Sequence, residues 1–222
     1  MRMRKKNRLD ERLYVCRDYL ICKLFHQCAA PERAFAEVVD VRLPTWLEIG
    51  CGKGGFINRM ARTHGGVNFI AVEKNENVAV SAMERSYGEE IPNVRYIIGL
   101  AEYLERFVPS ASIERIYLNF SCPFPKDRHA KRRLTHPNYL EIYSRILKAG
   151  GEIRFKTDDV NFFEFTIDSL SRAADEKGAK FLLKNCTTDL HNSGVTDNIV
   201  TEYEDYFIRN GYKINYLEAI LK

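Results

Sequence analysis

The most informative stretch of the chain is Leu47-Glu48-Ile49-Gly50-Cys51-Gly52-Lys53-Gly54-Gly55. It starts inside a short apolar strand, predicted over residues 45–49, and leads through glycines into a predicted helix over 55–63. Gly50, Gly52 and Gly55 fit the pattern G-x-G-x-x-G, in the strand-to-helix setting that this motif requires. Glycine lets a backbone turn sharply and approach a ligand closely. The stretch therefore predicts a binding site for a cofactor that contains a nucleoside.

Two carboxylates accompany this glycine loop. Glu73 follows the next predicted strand, residues 67–72, where a carboxylate can accept hydrogen bonds from ribose hydroxyls. Glu48 precedes Gly50 by two residues, and a carboxylate there suits a cationic ligand better than an anionic pyrophosphate. Lys53 could instead serve a phosphate, and Glu48 could be a paired structural carboxylate, so both alternatives stay open. On balance the pattern favours S-adenosylmethionine over a nicotinamide dinucleotide.

Strands and helices alternate along most of the chain. The predicted strands are 45–49, 67–72, 94–98, 115–120, 152–156, 180–185 and 214–220. The predicted helices are 55–63, 76–87, 138–147 and 160–177, and Gly150-Gly151 is expected to close the third of these. Such alternation predicts an α/β, Rossmann-like fold with a mostly parallel seven-stranded sheet and helices on both faces. We expect residues 1–44 to form a basic, helical N-terminal extension and residues 45–222 to form one domain.

Composition excludes several classes of protein. The 222 residues are 45% hydrophobic and 29% charged, which is ordinary for a globular chain and excludes a disordered one. No apolar run approaches the roughly 20 residues of a membrane helix, and no apolar segment with a cleavage site follows the basic N-terminus. We therefore expect a cytoplasmic protein with free thiols. Cys16, Cys22, His26 and Cys28 lack the closely spaced cysteine pair of a structural zinc site, so no metal is expected.

Basic residues are concentrated in two segments. Residues 1–8 contain Arg2, Arg4, Lys5, Lys6 and Arg8, and the second segment, residues 126–133, contains Lys126, Arg128, Lys131, Arg132 and Arg133. Since the net charge of the chain is only +4, the remaining residues together are acidic. A single basic run is often just a solvated surface, but two on an acidic body favour a polyanionic partner. Nucleic acid is the natural candidate, because arginine suits phosphate oxygens.

The segment after the fourth predicted strand reads Asn119-Phe120-Ser121-Cys122-Pro123-Phe124-Pro125-Lys126. Its two prolines favour a stiff, extended loop. Phe124 could stack on a base or could simply pack against the protein. Because the loop follows a strand of a predominantly parallel sheet and precedes basic residues, we expect it to meet a nucleobase carried on a phosphate backbone.

At this point the chain resembles a known family. The elements that carry the resemblance occur in one order: Gly52-Lys53-Gly54, Val72-Glu73-Lys74, the loop 119–126, Lys131-Arg132-Arg133-Leu134-Thr135-His136-Pro137, Phe155-Lys156-Thr157-Asp158 and Thr201-Glu202-Tyr203-Glu204. Together they look like the bacterial tRNA (guanine-N7-)-methyltransferases, over about residues 45–220. Each element alone is weak, but the ordered set is specific.

The resemblance implies a class I methyltransferase that moves a methyl group from S-adenosylmethionine to N7 of the variable-loop guanosine in tRNA. Positions matching the family's cofactor site are Glu48, Gly50, Gly52, Glu73, Leu100 and Cys122. Positions matching its substrate site are Lys126, Asp158, Thr201, Glu202, Tyr203 and Glu204. Catalytic roles fall on Cys122 and Asp158, and RNA-backbone contacts are expected from Arg128, Lys131, Arg132 and Arg133. A monomer and a homodimer both remain open.

Two positions depart from the family pattern. Cys122 and Leu100 occupy places where the family usually has carboxylates, and Phe124 replaces a tryptophan. One alternative is therefore a catalytically impaired homologue that binds tRNA. Another is a methyltransferase acting on an exocyclic base amine, because Ser121-Cys122-Pro123-Phe124 also resembles the corresponding loop of such enzymes. A nicotinamide oxidoreductase is the least favoured reading.

Overall fold

The computed structural model describes residues 7–23 and 31–222. The chain divides into two compact units, the first ending at Pro109 and the second spanning Ser110–Lys222. Expectations about Arg2, Arg4, Lys5, Lys6, His26 and Cys28 concern positions outside the described residues. The boundary expected between residues 44 and 45 stays a prediction, and the structure joins the described residues before it to the first unit.

The first unit is built on four parallel strands. They are β1 (Leu20–Lys23), β2 (Thr45–Ile49), β3 (Asn68–Glu73) and β4 (Val94–Ile98), in the order β1-β4-β3-β2. The helices are α1 (Leu9–Val15), α2 (Pro31–Val38), α3 (Gly55–Thr63) and α4 (Glu76–Gly88). Phe69, Ile70 and Ala71 of β3 are completely buried. A continuous apolar run of this kind is typical of a parallel strand covered on both faces.

The second unit combines parallel and antiparallel pairing. Its strands are β5 (Ile113–Asn119), β6 (Leu147–Thr157), β7 (Phe181–Thr187) and β8 (Asn215–Leu221), in the order β5-β6-β8-β7. Its helices are α5 (Pro137–Ile146), α6 (Val160–Lys177) and α7 (Glu202–Arg209). β5 pairs with β6 in parallel, whereas β8 runs antiparallel to both β6 and β7. Among the helices that the structure describes, none is long and apolar enough to cross a membrane.

The mostly parallel α/β architecture is confirmed, but the predicted number of strands is wrong. The described residues contain eight strands instead of seven, and the additional one is β1. β1 lies in the region expected to be helical and pairs in parallel with β4, burying Ile21 and Cys22. Four residues are too few to show a clear alternation of apolar and polar side chains, so the sequence pattern could not reveal this strand.

The expected role of Gly150-Gly151 is also wrong. Helix α5 already ends at Ile146, and both glycines lie inside β6. Gly150 has a φ of +77°, and a Cβ atom on Gly151 would come within 3.1 Å of the Glu114 carbonyl oxygen. The pair therefore allows an irregular, close approach of β6 to β5, where the register shifts. Glycines after a helix suggest a C-cap, but here tertiary pairing determines their use.

A buried polar network supports the start of α3, the helix that follows the glycine loop. The Tyr96 hydroxyl of β4 is wholly buried and donates to Asn58 Oδ1 of α3 at 2.8 Å. Ser86 Oγ of α4 lies 2.8 Å from the same hydroxyl and donates to Asn58 Oδ1 at 3.0 Å. The three buried oxygen atoms of this network thus have partners, as a stable interior favours, whereas Asn58 Nδ2 has no hydrogen-bond partner. The network joins α3, α4 and β4 directly beneath the start of α3.

Gly54 is the glycine that this packing demands. It precedes α3 with a φ of +77°, and an added Cβ atom would lie 2.9 Å from the Ala82 Cβ and 3.2 Å from the Tyr96 hydroxyl. The simple G-x-G-x-x-G pattern selects Gly55 instead, so the motif alone does not identify the most constrained position. Side-chain crowding and a left-handed backbone both exclude other residues here.

We predict that Gly54→Ala lowers the free energy of unfolding by at least about 2 kcal/mol, because the added methyl group overpacks the network and strains the backbone. Gly178→Ala is the matched control: Gly178 has a φ of +70° but no atom within 4 Å of an added Cβ. It should cost only about 1 kcal/mol. Denaturant titration measures both values, and equal losses would contradict the crowding at Gly54.

Candidate active site

The glycine loop is tied to the neighbouring strand by its own backbone. The N–H groups of Gly50 and Cys51 both donate to the Val72 carbonyl oxygen of β3, at 2.8 and 3.1 Å. Gly50 and Gly52 have φ values of +83° and +57°, and a Cβ atom added to either would meet nothing within 4 Å. The loop therefore needs glycine at these positions for its backbone conformation, and open space lies beside the backbone for a ligand.

Glu73 is held beside this loop at the end of β3. Its Oε2 accepts from the Gly52 N–H at 3.3 Å, and its Oε1 accepts from the Asn75 N–H at 2.8 Å. Burial raises the pKa of Glu73, while the two backbone donors act in the opposite direction. The predicted pairing of glycine loop and acidic residue is thus present in the structure. An oriented, partly buried carboxylate can accept hydrogen bonds from ribose hydroxyls.

The other predicted cofactor positions in the first unit are either apolar or buried. Glu48 in β2 is only 3% exposed. Burial raises the pKa of the adjacent Cys51 thiol well above its ordinary value, and the Glu48 and Glu73 carboxylates raise it further, so this thiol is neutral. Leu100 begins the turn after β4, next to Gly99, whose N–H donates to the Glu73 carbonyl oxygen at 2.9 Å. Leu100 therefore lies near the loop and offers only apolar contact.

In the second unit, the loop after β5 is held by a buried arginine. Arg133 is 9% exposed, and its guanidinium donates to the Pro123 and Phe124 carbonyl oxygens at 2.9 and 3.2 Å. The same guanidinium lies 4.2 Å from the centroid of the Phe165 ring. Arg133 was expected to contact the RNA backbone, but the structure places it beneath the loop. Its role is to fix the loop conformation, which includes a positive φ at Phe124.

The rest of the basic segment is at the surface. Lys126, Arg128, Lys131 and Arg132 are exposed. The Arg132 guanidinium lies 4.6 Å from the centroid of the Phe124 ring. Phe124 is only partly buried, and the arginine covers one face of its ring. The surface thus combines positive charge with an aromatic ring, a combination suited to nucleic acid.

Two predicted catalytic positions differ in their surroundings. Cys122 is exposed on the loop after β5, and Asp158 lies immediately after β6 with partial exposure. Asp159 instead caps α6, its Oδ1 accepting from the Phe162 N–H at 2.8 Å. Of these two adjacent carboxylates, Asp158 is therefore the one that capping leaves available for a ligand.

The predicted substrate stretch 201–204 has two distinct faces. Thr201 and Glu204 form a capping box: Thr201 Oγ1 accepts from the Glu204 N–H at 2.9 Å, and Glu204 Oε2 accepts from the Thr201 N–H at 3.2 Å. Both side chains are buried. Glu202 and Tyr203 are exposed, so only they present side chains to solvent. Helix α7 is not among the predicted helices, although Thr-x-x-Glu is a recognisable helix start signal.

A buried ion pair fixes α7 in place. Lys156 of β6 is 3% exposed and its Nζ lies 2.7 Å from Glu204 Oε2, while Glu204 is 0% exposed. Lys156 also donates to Asn198 Oδ1 at 2.9 Å, and Asn198 in turn donates to Glu204 Oε1 at 2.8 Å. His191 Nε2 lies 3.3 Å from the same oxygen. These contacts satisfy both buried charges and orient the exposed side chains of α7.

Comparisons with known proteins identify the class first. Solved structures with the same fold include the antibiotic-resistance methyltransferase Kmr (TM-score 0.57, 16% identity, 85% of this chain and 90% of that one). Another is the 16S rRNA methyltransferase KamB (TM-score 0.59, 13% identity, 89% and 95%). The fold is that of the class I methyltransferases. A family model described as "Putative methyltransferase" matches residues 42–217.

Curated relatives narrow the class to one family. The tRNA (guanine-N(7)-)-methyltransferase of Macrococcus caseolyticus is 46% identical over 176 residues, covering 79% of this chain and 81% of the relative. The enzyme of the same name from Geobacillus thermodenitrificans is 45% identical over 177 residues, covering 80% and 79%. This chain therefore belongs to the tRNA (guanine-N(7)-)-methyltransferase family, as the sequence resemblance predicted.

We predict that the affinity for S-adenosylmethionine falls as the pH is lowered. The pKa of Glu73 is raised by burial, so protonation begins above the range of an ordinary glutamate and removes the charged acceptor. Glu73→Gln should bind the cofactor more weakly and lose this pH dependence, with tRNA affinity nearly unchanged. Calorimetric titration at several pH values measures this. An equally pH-dependent affinity in the variant would contradict the role of Glu73.

We predict that Glu204→Gln lowers the free energy of unfolding by about 3–5 kcal/mol, because the buried Lys156 ammonium loses its counter-charge. Asp205→Asn is the matched control, since Asp205 forms an exposed ion pair with Arg209 at 2.8 Å. It should cost no more than about 1 kcal/mol. Denaturant titration compares the two, and similar losses would show that Glu204 does not support α7.

Proposed function

We propose that this protein transfers a methyl group from S-adenosylmethionine to N7 of the variable-loop guanosine in tRNA. The observation that carries the proposal is the 46% identity over 79% of the chain to an enzyme named for that reaction. The proposal places the activity in the cytoplasm, in keeping with a tRNA substrate. A monomer and a homodimer are both still open as the working form.

The first unit has the residues that S-adenosylmethionine requires. Gly50 and Gly52 present backbone next to open space, and Glu73 is oriented by two backbone N–H groups. Glu48 and Glu73 are acidic, which favours a ligand carrying an ammonium and a sulfonium. When bound, the cofactor supplies an electrophilic methyl group. The chain's part is to hold that group in a fixed direction and to keep its surroundings negative.

Methyl transfer to N7 requires little acid–base chemistry from the protein. N7 of guanine is an unprotonated acceptor on the major-groove edge, so no general base has to remove a proton before attack. Positioning and electrostatics then supply most of the rate. In this proposal Asp158 and Lys126 orient the substrate. At Cys122 the family resemblance implies an aspartate, so the proposed site lacks one orienting contact, which commonly costs a few kcal/mol without abolishing turnover.

The alternatives receive less support. The relatives identified above are named as enzymes, which does not favour a purely tRNA-binding homologue. Their names specify guanine N7, which does not favour an exocyclic amine. The glycine loop with its associated Glu73 fits a nicotinamide dinucleotide as well as S-adenosylmethionine. The chain belongs to a family of methyltransferases, however, and this does not favour a nicotinamide dinucleotide.

The test is methyl transfer from labelled S-adenosylmethionine to unmodified tRNA, followed by nuclease digestion and identification of the methylated base. We predict labelled N7-methylguanine with the unaltered protein. An impaired homologue would give no product until both carboxylates are restored in Cys122→Asp/Leu100→Asp. Label on an exocyclic amine would overturn the proposed acceptor atom.

We also predict that the triple variant Arg128→Ala/Lys131→Ala/Arg132→Ala binds tRNA more weakly and with a shallower salt dependence. Each lost phosphate contact removes about 0.7–0.9 from the slope of log affinity against log salt, so the slope should change by about 2–3. The matched control neutralises three exposed arginines of the first unit, Arg17, Arg42 and Arg62. Filter binding between low and moderate salt measures both. Equal slopes in the two variants would contradict an RNA contact at the basic segment.

A further inference from the structure

Helix α7 presents an aromatic surface that extends beyond Tyr203, its one tyrosine within the predicted substrate stretch 201–204. Tyr203 and Tyr206 on α7 are 56% and 61% exposed, and Tyr212 just beyond the helix is 61% exposed. All three rings pack against Phe207, with ring centroids 5.1, 5.5 and 5.6 Å away. We call Tyr203, Tyr206, Phe207 and Tyr212 the α7 aromatic surface.

This surface is rigidly supported. Phe207 packs against a buried cluster of Leu190, Ile214 and Tyr216. The Tyr212 N–H donates to the Phe207 carbonyl oxygen at 3.0 Å, which fixes the turn after the helix. Because Phe207 and the turn hold the tyrosine rings before any ligand binds, docking a flat ligand on them costs little conformational entropy. Rigid, exposed aromatic faces of this kind are suited to stacking.

Three ion pairs neutralise most of the charge around the surface. Asp205 lies 2.8 Å from Arg209, and Lys213 lies 3.1 Å from Asp189. The buried Glu204 is paired with Lys156. The α7 aromatic surface is therefore close to neutral, which suits the face of a nucleobase more than a phosphate group. The positive charge for phosphates lies instead on the basic segment.

A direct contact joins the α7 aromatic surface to the loop that leads into the basic segment. Tyr203 packs against Phe120, with ring centroids 5.4 Å apart, and Phe120 begins the loop that carries Phe124 and Lys126. The Phe120 N–H donates to the Lys156 carbonyl oxygen at 2.9 Å, so this loop and α7 are attached to the same strand. An RNA lying along the basic segment would thus find the aromatic surface beside it.

From this arrangement we propose that the α7 aromatic surface stacks on one or two unpaired bases of the tRNA that flank the target guanosine. The inference rests on the proposed function and extends the predicted substrate stretch by Tyr206, Phe207 and Tyr212. A second copy of the chain is a poorer occupant, because three tyrosines bury at most about 750 Å², less than the roughly 800 Å² per partner of a stable interface. Stacking contributes affinity that depends little on salt.

The test replaces the rings and keeps apolar side chains, in Tyr203→Leu/Tyr206→Leu/Tyr212→Leu. Tyr14→Leu/Tyr87→Leu is the matched control, since both tyrosines are exposed in the first unit. We expect tRNA affinity to fall by about tenfold or more in the first variant, with an unchanged salt slope. The variant Tyr206→Phe/Tyr212→Phe, which leaves Tyr203 unaltered, should retain wild-type affinity because it retains the rings. Affinity equal to that of the control variant at every salt concentration would overturn the inference.

A fluorescence reporter tests stacking without removing the surface. The only tryptophan is Trp46, so Trp46→Phe/Tyr206→Trp places a single tryptophan on α7. We expect tRNA to quench its emission, and to leave that of the matched Trp46→Phe/Tyr87→Trp protein unchanged. Absence of quenching in the α7 reporter would contradict the inference. Altered self-association of the leucine variant with unchanged tRNA affinity would also overturn it, in favour of a protein partner.

Failure of this inference is distinguishable from failure of the proposed function. If the unaltered protein forms N7-methylguanine while the leucine variant binds tRNA normally, only the stacking surface is wrong. If the unaltered protein neither binds nor methylates tRNA, the proposed function fails and the stacking inference fails with it.

Discussion

The parallel pairing of β2 with β3 is the constraint on which the proposed cofactor site of the first unit depends. Ile49 pairs with Val72, so the chain leaves β2 at the glycine loop directly beside Glu73, the last residue of β3. The Val72 carbonyl oxygen accepts two loop N–H groups, and the Glu73 carboxylate accepts a third from Gly52. Strand register, loop conformation and carboxylate orientation are therefore consequences of one backbone arrangement. The conformations of Gly50 and Gly52 and the crowding at Gly54 follow from it.

The second unit has a different constraint: the irregular segment that precedes α7 must be held against strand β6. Lys156 of β6 forms a buried ion pair with Glu204 and donates to Asn198. Arg154 of the same strand is also buried and lies 2.7 Å from the exposed Asp197. A buried ion pair is not in itself a strong source of stability, but it specifies one arrangement when every partner is satisfied. Here that arrangement presents Glu202 and the tyrosines of α7 to solvent. The geometry of the proposed substrate site thus depends on buried residues such as Lys156 and Glu204.

Much of this was predictable from sequence, and the exceptions have physical reasons. The buried residues of β2, β3 and β4 are strongly apolar, so the sequence alone reveals these strands. Short β1 lacks such a pattern. Gly150 and Gly151 are compatible with both a helix end and a strand irregularity, and only pairing with β5 separates these uses. Sequence cannot show that Arg133 is buried under a loop while Arg132 beside it is exposed, because burial depends on the tertiary path.

The central claim is that this fold delivers a methyl group to guanine N7 by positioning, without proton removal from the acceptor. The most direct measurement uses tRNA in which 7-deazaguanosine replaces the target guanosine, so that a C–H group replaces N7 and the exocyclic amine is unchanged. We predict no methyl transfer to this tRNA, although it should still compete with normal tRNA for binding. Methyl transfer at the undiminished rate would contradict the account, because the acceptor would then be another atom of the base.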